Sequence, residues 1–246
     1  FIYIMKNSIL IILVGLLTTN ILSSQNEIML SKLEQKEING ITSYLLNGEK
    51  FDGIIYENYS DNKPKVKFQI VDGLKEGVSE MYYQNGQLLE RLQYKNGLKE
   101  GSYQEYFDNG QLRGKTIYKN DKLEGPSETY YENGSLYQKG AFKNNKQEGI
   151  CEEYFENGTL RLKGNYINDM KNGQFEIYFE NGKLSIISSY KNDKLNGTIK
   201  KFYENGQVMK IGNFKDDLED GVFENYNKKG KLIKREVYKN GIKTEE

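Results

Sequence analysis

Apolar and polar positions alternate along this chain in short segments, and the pattern repeats every 24 residues. Two turn signals divide each unit: Asn-Gly at positions 9 and 10, and Asn-Gly, Asn-Asp or Asn-Asn at positions 20 and 21, counted from a leading glycine. Asn-Gly is typical of a type I′ hairpin turn. The segments between the turns have the length of strands and are rich in Tyr, Phe, Ile and Leu. Each unit is therefore predicted to be a pair of antiparallel strands.

The leading glycine recurs at a fixed spacing through eight units, which fill residues 53–246 without insertion or deletion. The glycines of this series are Gly53, Gly77, Gly101, Gly125, Gly149, Gly173, Gly197 and Gly221. Residues 41–52 fit the last half of a further unit, an N-terminal half-repeat. A short fixed period is typical of an array in which each unit packs on its neighbours. The predicted fold is all-β: an elongated antiparallel β-hairpin meander of eight 24-residue units, forming a twisted single sheet or an open ribbon like a β-solenoid.

Two-residue loops would fix which positions share a face. Position 7 would pair with 12, position 4 with 15 and position 1 with 18, so the rings at 7 and 18 lie with the leucine at 12. The opposite face would carry a solvated ladder of charges, with the pairs Glu80–Arg91, Glu128–Lys139, Glu152–Lys163 and Glu224–Arg235. The ring at 18 is expected to cover the leading glycine, so a valine at Gly149 would collide with Tyr166. Arginines at position 13 are expected over the tyrosines at position 6.

One sheet cannot bury the face that carries the rings. The ribbon curls around it, a second copy covers it, or a partner binds it. This face is most apolar in units 5–7, where the predicted binding residues are Phe155, Phe175, Ile177, Phe179, Leu184 and Tyr190. Core packing is the alternative role for most of these side chains.

The N-terminal segment 1–24 has the order of a secretory signal peptide, although residues 1–4 precede the first methionine and are doubtful. Met5 and Lys6 are followed by an apolar stretch, Ile9–Leu17, and then by polar and small residues. This order predicts cleavage near Ser24, export to the periplasm, cell envelope or exterior, and no integral membrane span after cleavage. An uncleaved N-terminal anchor is the alternative. Residues 25–40 are polar and are predicted to be a linker.

Composition and charge narrow the range of partners and reactions that we expect for this protein. Lysine and arginine number 35 and so do aspartate and glutamate, which argues against a nucleic-acid partner. The chain has no histidine, which is the commonest general base and metal ligand. Its single cysteine, Cys151, excludes an intramolecular disulfide. We find no catalytic, cofactor-binding or metal-ligating constellation, and predict that the protein is not an enzyme and has no cofactor.

The segment YYENGSL, Tyr130–Leu136, and the YKN of Tyr118–Asn120 resemble the MORN-variant repeat known from YwqK-type antitoxins of bacteria, and the likeness covers 41–246. The resemblance implies protein binding, self-association or scaffolding, and the antitoxin label implies neutralising a partner toxin. We therefore expect an exported, non-enzymatic protein-binding scaffold, with an antitoxin or immunity-like role as one form of it. The alternative is a cell-surface carbohydrate-binding module that uses tyrosine-rich strands.

Overall fold

The computed structural model describes residues 26–244, so the predicted signal segment 1–24 lies outside the described residues. Within the described part, 25 strands form a 22-stranded sheet and a separate three-stranded sheet, and no residue there is in an α-helix. This confirms the predicted all-β fold. The sheet is open: no pairing within the described range joins its first strand to its last.

The N-terminal part contains strands where a linker was predicted. Its elements are β1 (Glu27–Met29), a 3-10 turn (Leu30–Lys32), β2 (Glu34–Ile38), β3 (Ile41–Leu46) and β4 (Glu49–Lys50). β2, β3 and β4 form the small sheet, and β1 pairs in parallel with β5 (Gly53–Asn58). Ile28, Leu30 and Leu33 pack against a buried cluster that includes Tyr44 and Phe68. Burial of these apolar side chains orders the segment, so the linker prediction for residues 25–40 is corrected over residues 26–40.

The remaining strands follow one another across the large sheet in chain order, which confirms the meander of 24-residue units. They are β6 (Pro64–Val71), β7 (Leu74–Tyr82), β8 (Leu88–Lys95), β9 (Leu98–Tyr106), β10 (Leu112–Lys119), β11 (Lys122–Leu123), β12 (Gly125–Tyr130), β13 (Leu136–Lys143), β14 (Lys146–Gln147), β15 (Gly149–Tyr154), β16 (Leu160–Ile167), β17 (Met170–Lys171), β18 (Gly173–Tyr178), β19 (Leu184–Lys191), β20 (Lys194–Phe202), β21 (Val208–Lys215), β22 (Leu218–Glu219), β23 (Gly221–Tyr226), β24 (Leu232–Lys239) and β25 (Ile242–Thr244).

The first turn of each unit is not type I′. Between β9 and β10, Phe107 donates its N–H to the carbonyl of Gln111 at 2.8 Å, and only Gly110 of the Asn-Gly pair has a positive φ, +85°. This is a three-residue loop with a glycine bulge. Tyr106 consequently pairs with Leu112, and Arg113 is the extra residue in the ladder. The predicted pairing of positions 7 and 12 is therefore wrong, whereas the pairings of 4 with 15 and 1 with 18 are confirmed.

The second turn of each unit has the type I′ geometry instead. Asn120 and Asp121 both have positive φ, +49° and +63°. A bulge follows at each leading glycine, and all eight leading glycines have positive φ. At Gly149 an added Cβ would meet no atom within 4 Å, so the predicted collision with Tyr166 is wrong. The need for glycine there comes from its φ of +85°, which a branched side chain adopts only with strain.

The buried core is a row that crosses the sheet at positions 3 and 16. Its buried members are Ile55, Phe68, Ser79, Leu92, Cys151, Gly164, Phe175, Ser188, Gly212 and Phe223. Rings at position 18 cover this row: Tyr166 and Tyr190 stand edge-on to Phe175, with ring centroids 5.4 and 5.1 Å away. Lys171 adds its ammonium 5.5 Å from the same ring. The ribbon thus buries this row with its own side chains.

Candidate functional site

Consecutive units are joined through their second turns. The N–H of Asp169 donates to the carbonyl of Gln147 at 3.0 Å, and the N–H of Gln147 donates to Oδ1 of Asp169 at 2.6 Å. The N–H of Asn168 donates to Oε2 of Glu148 at 3.0 Å. The same bonds recur along the array, for instance from Leu123 to Oδ1 of Asn145 at 2.6 Å. Because every unit is held to its neighbour in the same way, side chains at equal positions lie in straight rows.

The first turns are joined by a second series of bonds. The side chain of Asn85 accepts from the N–H of Gln87 at 2.9 Å, which closes its own loop, and donates to the carbonyl of Asp108 in the next unit at 2.8 Å. Tyrosines at position 7 do likewise: the hydroxyl of Tyr131 donates to the carbonyl of Tyr154 at 2.8 Å. Both ends of each hairpin are therefore fixed, and the surface between them is rigid.

An open groove follows the face that carries the charges, across units 1–5. We call this the ladder groove; its lining residues are Ile54, Lys67, Phe68, Gln69, Val78, Glu80, Arg91, Gln93, Ser102, Tyr103, Gln104, Lys115, Thr116, Ile117, Pro126, Ser127, Glu128, Lys139, Gly140, Ala141, Ile150 and Glu152. It comprises three depressions of about 660, 330 and 280 Å³. Aliphatic side chains at positions 2 and 17 run beside the charges at 4 and 15: Val78, Ile117 and Ile150 are 45%, 40% and 58% exposed.

The charged rows form the predicted ladder. Glu152 accepts from the ammonium groups of Lys139 and Lys163 at 2.8 and 2.9 Å, and from the hydroxyl of Tyr154 at 2.7 Å. These bonds, with that of Lys139 the strongest, lower the pKa of Glu152 to about 2. The predicted pairs Glu80–Arg91 and Glu152–Lys163 are confirmed. Glu128 also lies opposite Lys139 as predicted, but its ion pair is with Lys115 of the preceding unit, at 2.8 Å.

Tyrosines at position 6 support the ladder from one side. The hydroxyl of Tyr82 donates to Glu80 at 2.6 Å, and burial with this carboxylate raises the pKa of Tyr82 to about 12. The arginines predicted over these rings lie elsewhere, because the bulge turns position 13 to the other face. Arg113 pairs with Glu105 at 2.9 Å and lies 5.8 Å from the ring of Phe107.

The six predicted binding residues have different environments. Phe175 is 2% exposed, so it packs in the core row and offers no surface to a partner. Tyr190 touches it edge-on. The other residues, Phe155, Ile177, Phe179, Leu184 and Tyr190, are half-buried. Phe155 and Phe179 belong to first turns, where the N–H of Phe179 donates to the carbonyl of Lys183 at 2.8 Å.

Sequence reasoning missed position 3 as the most buried row. Positions 6, 7 and 18 hold an aromatic residue in nearly every unit, so the sequence pattern emphasised them. Position 3 is variable and holds Ile55, Ser79, Cys151 and Phe175 among others. The available signal is a correlation of side-chain size in the C-terminal units: Phe175 and Phe223 at position 3 each lie next to a glycine at position 16 of the preceding unit. It also missed the ladder groove, because depth depends on backbone curvature rather than on residue type.

Chemically reactive groups are sparse in residues 26–244. No group of three or more potential ligands in that range could hold a metal ion, and no helix there is long and apolar enough to cross a membrane. Cys151 is buried, and burial raises the pKa of its thiol. The amide of Gln138 donates to its sulfur at 3.2 Å. The bond from Gln138 by itself favours the thiolate, but burial has the larger effect, so the pKa of the thiol is raised and the protonated form is favoured.

The fold defines a class of protein, an open array of β-hairpin units in which side chains at equal positions form rows. The MORN repeat variant family matches seven consecutive units, at residues 75–96, 99–120, 123–144, 147–168, 171–192, 195–216 and 219–240. The chain belongs to this family. No curated protein matches it. Among solved structures, the crystal structure of a GtfA/B complex bound to UDP and GlcNAc is similar over 46% of this chain and 22% of that one, with 15% identity and a TM-score of 0.21. The chain thus spans about a fifth of that structure's length.

Proposed function

We propose that this protein is an exported, non-enzymatic scaffold that binds another protein along the ladder groove. The observation that supports this proposal is that exposed aliphatic side chains lie next to fixed charges in one groove. Ile117 lies beside the ion pair of Lys115 and Glu128, and Ile150 beside Glu152. Apolar contact supplies affinity and fixed charge supplies specificity in protein interfaces.

The rigidity of the surface between the turns also supports this proposal. The bonds at both turns hold each charge in place before binding, so a partner would lose little of its binding energy to ordering this surface. An antitoxin or immunity-like role is the form in which the partner is a toxin. Self-association through the same surface is the form in which the partner is a second copy.

Carbohydrate binding is the competing proposal. It would use the tyrosine row at position 6, whose rings would have to be open for stacking. These tyrosines are engaged in the ladder: the ammonium of Lys115 lies 5.9 Å from the ring of Tyr130, and that of Lys139 lies 5.6 Å from the ring of Tyr154. This geometry favours the protein partner.

Export rests on the sequence of residues 5–24, which lie outside the described residues. An intact mass of the protein from the cell-envelope or extracellular fraction tests it. A chain that begins near Gln25 supports export with cleavage. Retention of Met5–Ser24 would indicate an anchor, and a full-length cytoplasmic protein would contradict export.

Capture from the native organism followed by cross-linking tests the groove. We expect one protein partner to cross-link beside Ile150, and Ile150→Lys to abolish capture. The matched control is Ile167→Lys, because Ile167 is 41% exposed but lies outside the groove. Capture that survives Ile150→Lys, or retention on polysaccharide alone, would contradict the proposal.

A further inference from the structure

The charge ladder has one neutral step within the groove, at Gln104. From Lys67 to Glu176 the row at positions 4 and 15 alternates in sign at every strand except this one. Its members are Lys67, Glu80, Arg91, Gln104, Lys115, Glu128, Lys139, Glu152, Lys163 and Glu176. In the sheet register Gln104 pairs with Arg91 on one side and Lys115 on the other. Two cations therefore flank a position that carries no carboxylate.

Glu152 shows what a carboxylate does between two such cations. It accepts from Lys139, Lys163 and Tyr154 together. Gln104 is the equivalent residue of unit 3, and Tyr106 donates its hydroxyl to Oε1 of Gln104 at 3.2 Å, as Tyr154 does to Glu152. The surroundings of a carboxylate are thus present at Gln104 without the charge.

Both flanking cations retain donors for a further acceptor. Arg91 directs Nε and Nη2 to the same oxygen of Glu80, at 3.0 and 2.6 Å, which leaves its Nη1 group for another bond. Lys115 donates to Glu128, and its side chain is nearly half exposed. A carboxylate placed over Gln104 would therefore receive charge-assisted hydrogen bonds from both sides.

The groove has room at this point. Its largest depression and its neighbour meet at Ser102 and Gln104. Ile117 lies one strand from this junction and Val78 lies two strands from it on the other side, at about 4.8 Å per strand. Side chains two residues apart on an extended chain are separated by about 7 Å, so one chain could contact the neutral step and an aliphatic neighbour together.

We propose that the groove at Gln104 takes the carboxylate of an extended acidic peptide segment, whose aliphatic side chains two residues away on either side lie over Val78 and Ile117. The inference rests on the proposed function and adds the chemistry of the partner. A uronic-acid polysaccharide offers the same carboxylate, but its polar rings gain little from an aliphatic surface. The exposed Val78 and Ile117 favour the peptide.

The test is a titration of the folded chain followed by the chemical shifts of its backbone amides. The probes are the blocked peptide acetyl-VSESV-amide, in which the glutamate and both valines share one face of an extended chain, its glutamine analogue acetyl-VSQSV-amide, and oligogalacturonate, each at millimolar concentration. We expect the acidic peptide to shift the amides of Arg91, Gln104 and Lys115, and the other two probes to leave them unchanged. Equal binding of the glutamine analogue, no localised shift, or binding of oligogalacturonate alone would overturn the proposal.

Two variants make the test independent of folding. Gln104→Glu supplies the carboxylate within the chain and should weaken peptide binding at least about tenfold, because it displaces one charge-assisted interaction. Glu152→Gln creates a second neutral step, and should add peptide-induced shifts at Lys139 and Lys163. Unchanged affinity in the first variant or no new shifts in the second would contradict the proposal. If Gln104→Glu still captures the native partner while Ile150→Lys does not, the proposed function stands and this site is refuted.

Discussion

The ring of Phe175 lies directly on the backbone of Gly164 in the preceding unit, in the space that a side chain at Gly164 would occupy. Phe223 lies on Gly212 in the same way. At these two places in the core row a bulky residue thus meets a glycine on the adjacent strand, which fills a single-layer core without a second sheet, whereas nearer the N-terminus Ile55 meets Phe68 and Leu92 meets Tyr103.

Gly164→Ala should destabilise the protein by about 1–3 kcal/mol, because the new methyl group overlaps the Phe175 ring and forces it off its rotamer. Gly140→Ala is the matched control at the equivalent position of unit 4. A Cβ there would meet Cys151 only at 3.9 Å, an ordinary contact. Gly140→Ala should therefore be neutral, or stabilising by less than about 1 kcal/mol through the unfolded state. Urea denaturation midpoints measure both.

A second substitution checks the cause. Phe175→Cys reproduces the small-on-small pair that Gly140 and Cys151 form, and should cost less stability in the Gly164→Ala background than in the parent, because the ring that it removes is the one that overlaps the new methyl group. Equal midpoints for Gly164→Ala and Gly140→Ala would show that the ring yields freely, and that the core row does not depend on paired sizes.

The hydrogen bonds of the second turns should determine how stably neighbouring units are joined. Asp169→Gly removes the oxygen that accepts the N–H of Gln147, whereas Asp169→Asn keeps an acceptor, as Asn145 shows for Leu123. We expect faster hydrogen exchange of the Gln147 amide in Asp169→Gly and little change in Asp169→Asn. Exchange is the right measurement, since glycine also relieves strain at the positive φ of Asp169 and obscures the change in global stability.

The period of the sequence was sufficient to predict the hairpin units, the pairing of Glu152 with Lys163 and the ladder of charges. The type I′ prediction for the first turn was wrong, although a two-residue loop is correct for the second turn, because dipeptide preference alone ignores what the turn contacts. Asp121, unlike a glycine, accepts the N–H of Lys99 in the preceding unit, at 2.7 Å. That bond between units favours Asp or Asn in the type I′ turn.

The candidate site was less predictable than the fold. The bulge at Arg113 arises from one extra loop residue, and it moves position 13 to the opposite face. Phe175 was predicted to be a binding residue because the sequence shows which face of the sheet a ring lies on. It does not show how much of that ring neighbouring side chains bury. The neutral residue Gln104 can be seen in the sequence. Its placement between two cations, however, follows only from the strand register that pairs it with Arg91 and Lys115.

The thiol of Cys151 should react slowly with a water-soluble disulfide reagent in the native protein. It is 1% exposed, and burial raises its pKa, so little thiolate is present near neutral pH. Labelling should accelerate sharply in urea, in parallel with unfolding. Fast labelling of the native protein would show that the core row opens around unit 5.

Acid should weaken the protein partly through Glu152. Its pKa in the folded state, about 2, is below the ordinary value of 4.5, because Lys139 and then Tyr154 and Lys163 bond the charged form. A depressed pKa means that the unfolded chain binds the proton first. The stabilisation is therefore complete above about pH 4.5 and is lost as the pH falls towards 2. Since both lysines are nearly half exposed, we expect about 1 kcal/mol.

Glu152→Gln isolates this contribution. At neutral pH the variant should be less stable than the parent by about 1 kcal/mol, and the difference should shrink as the pH falls from about 5 to about 2.5, because the parent then loses the same charge. Glu156→Gln, an exposed acid of the same unit, serves as the control for the rest of the protein. Unfolding free energies from urea titrations at each pH measure the difference. A difference that stays constant into acid would mean that Glu152 acts only by packing, and that its ion pairs with Lys139 and Lys163 add nothing to stability.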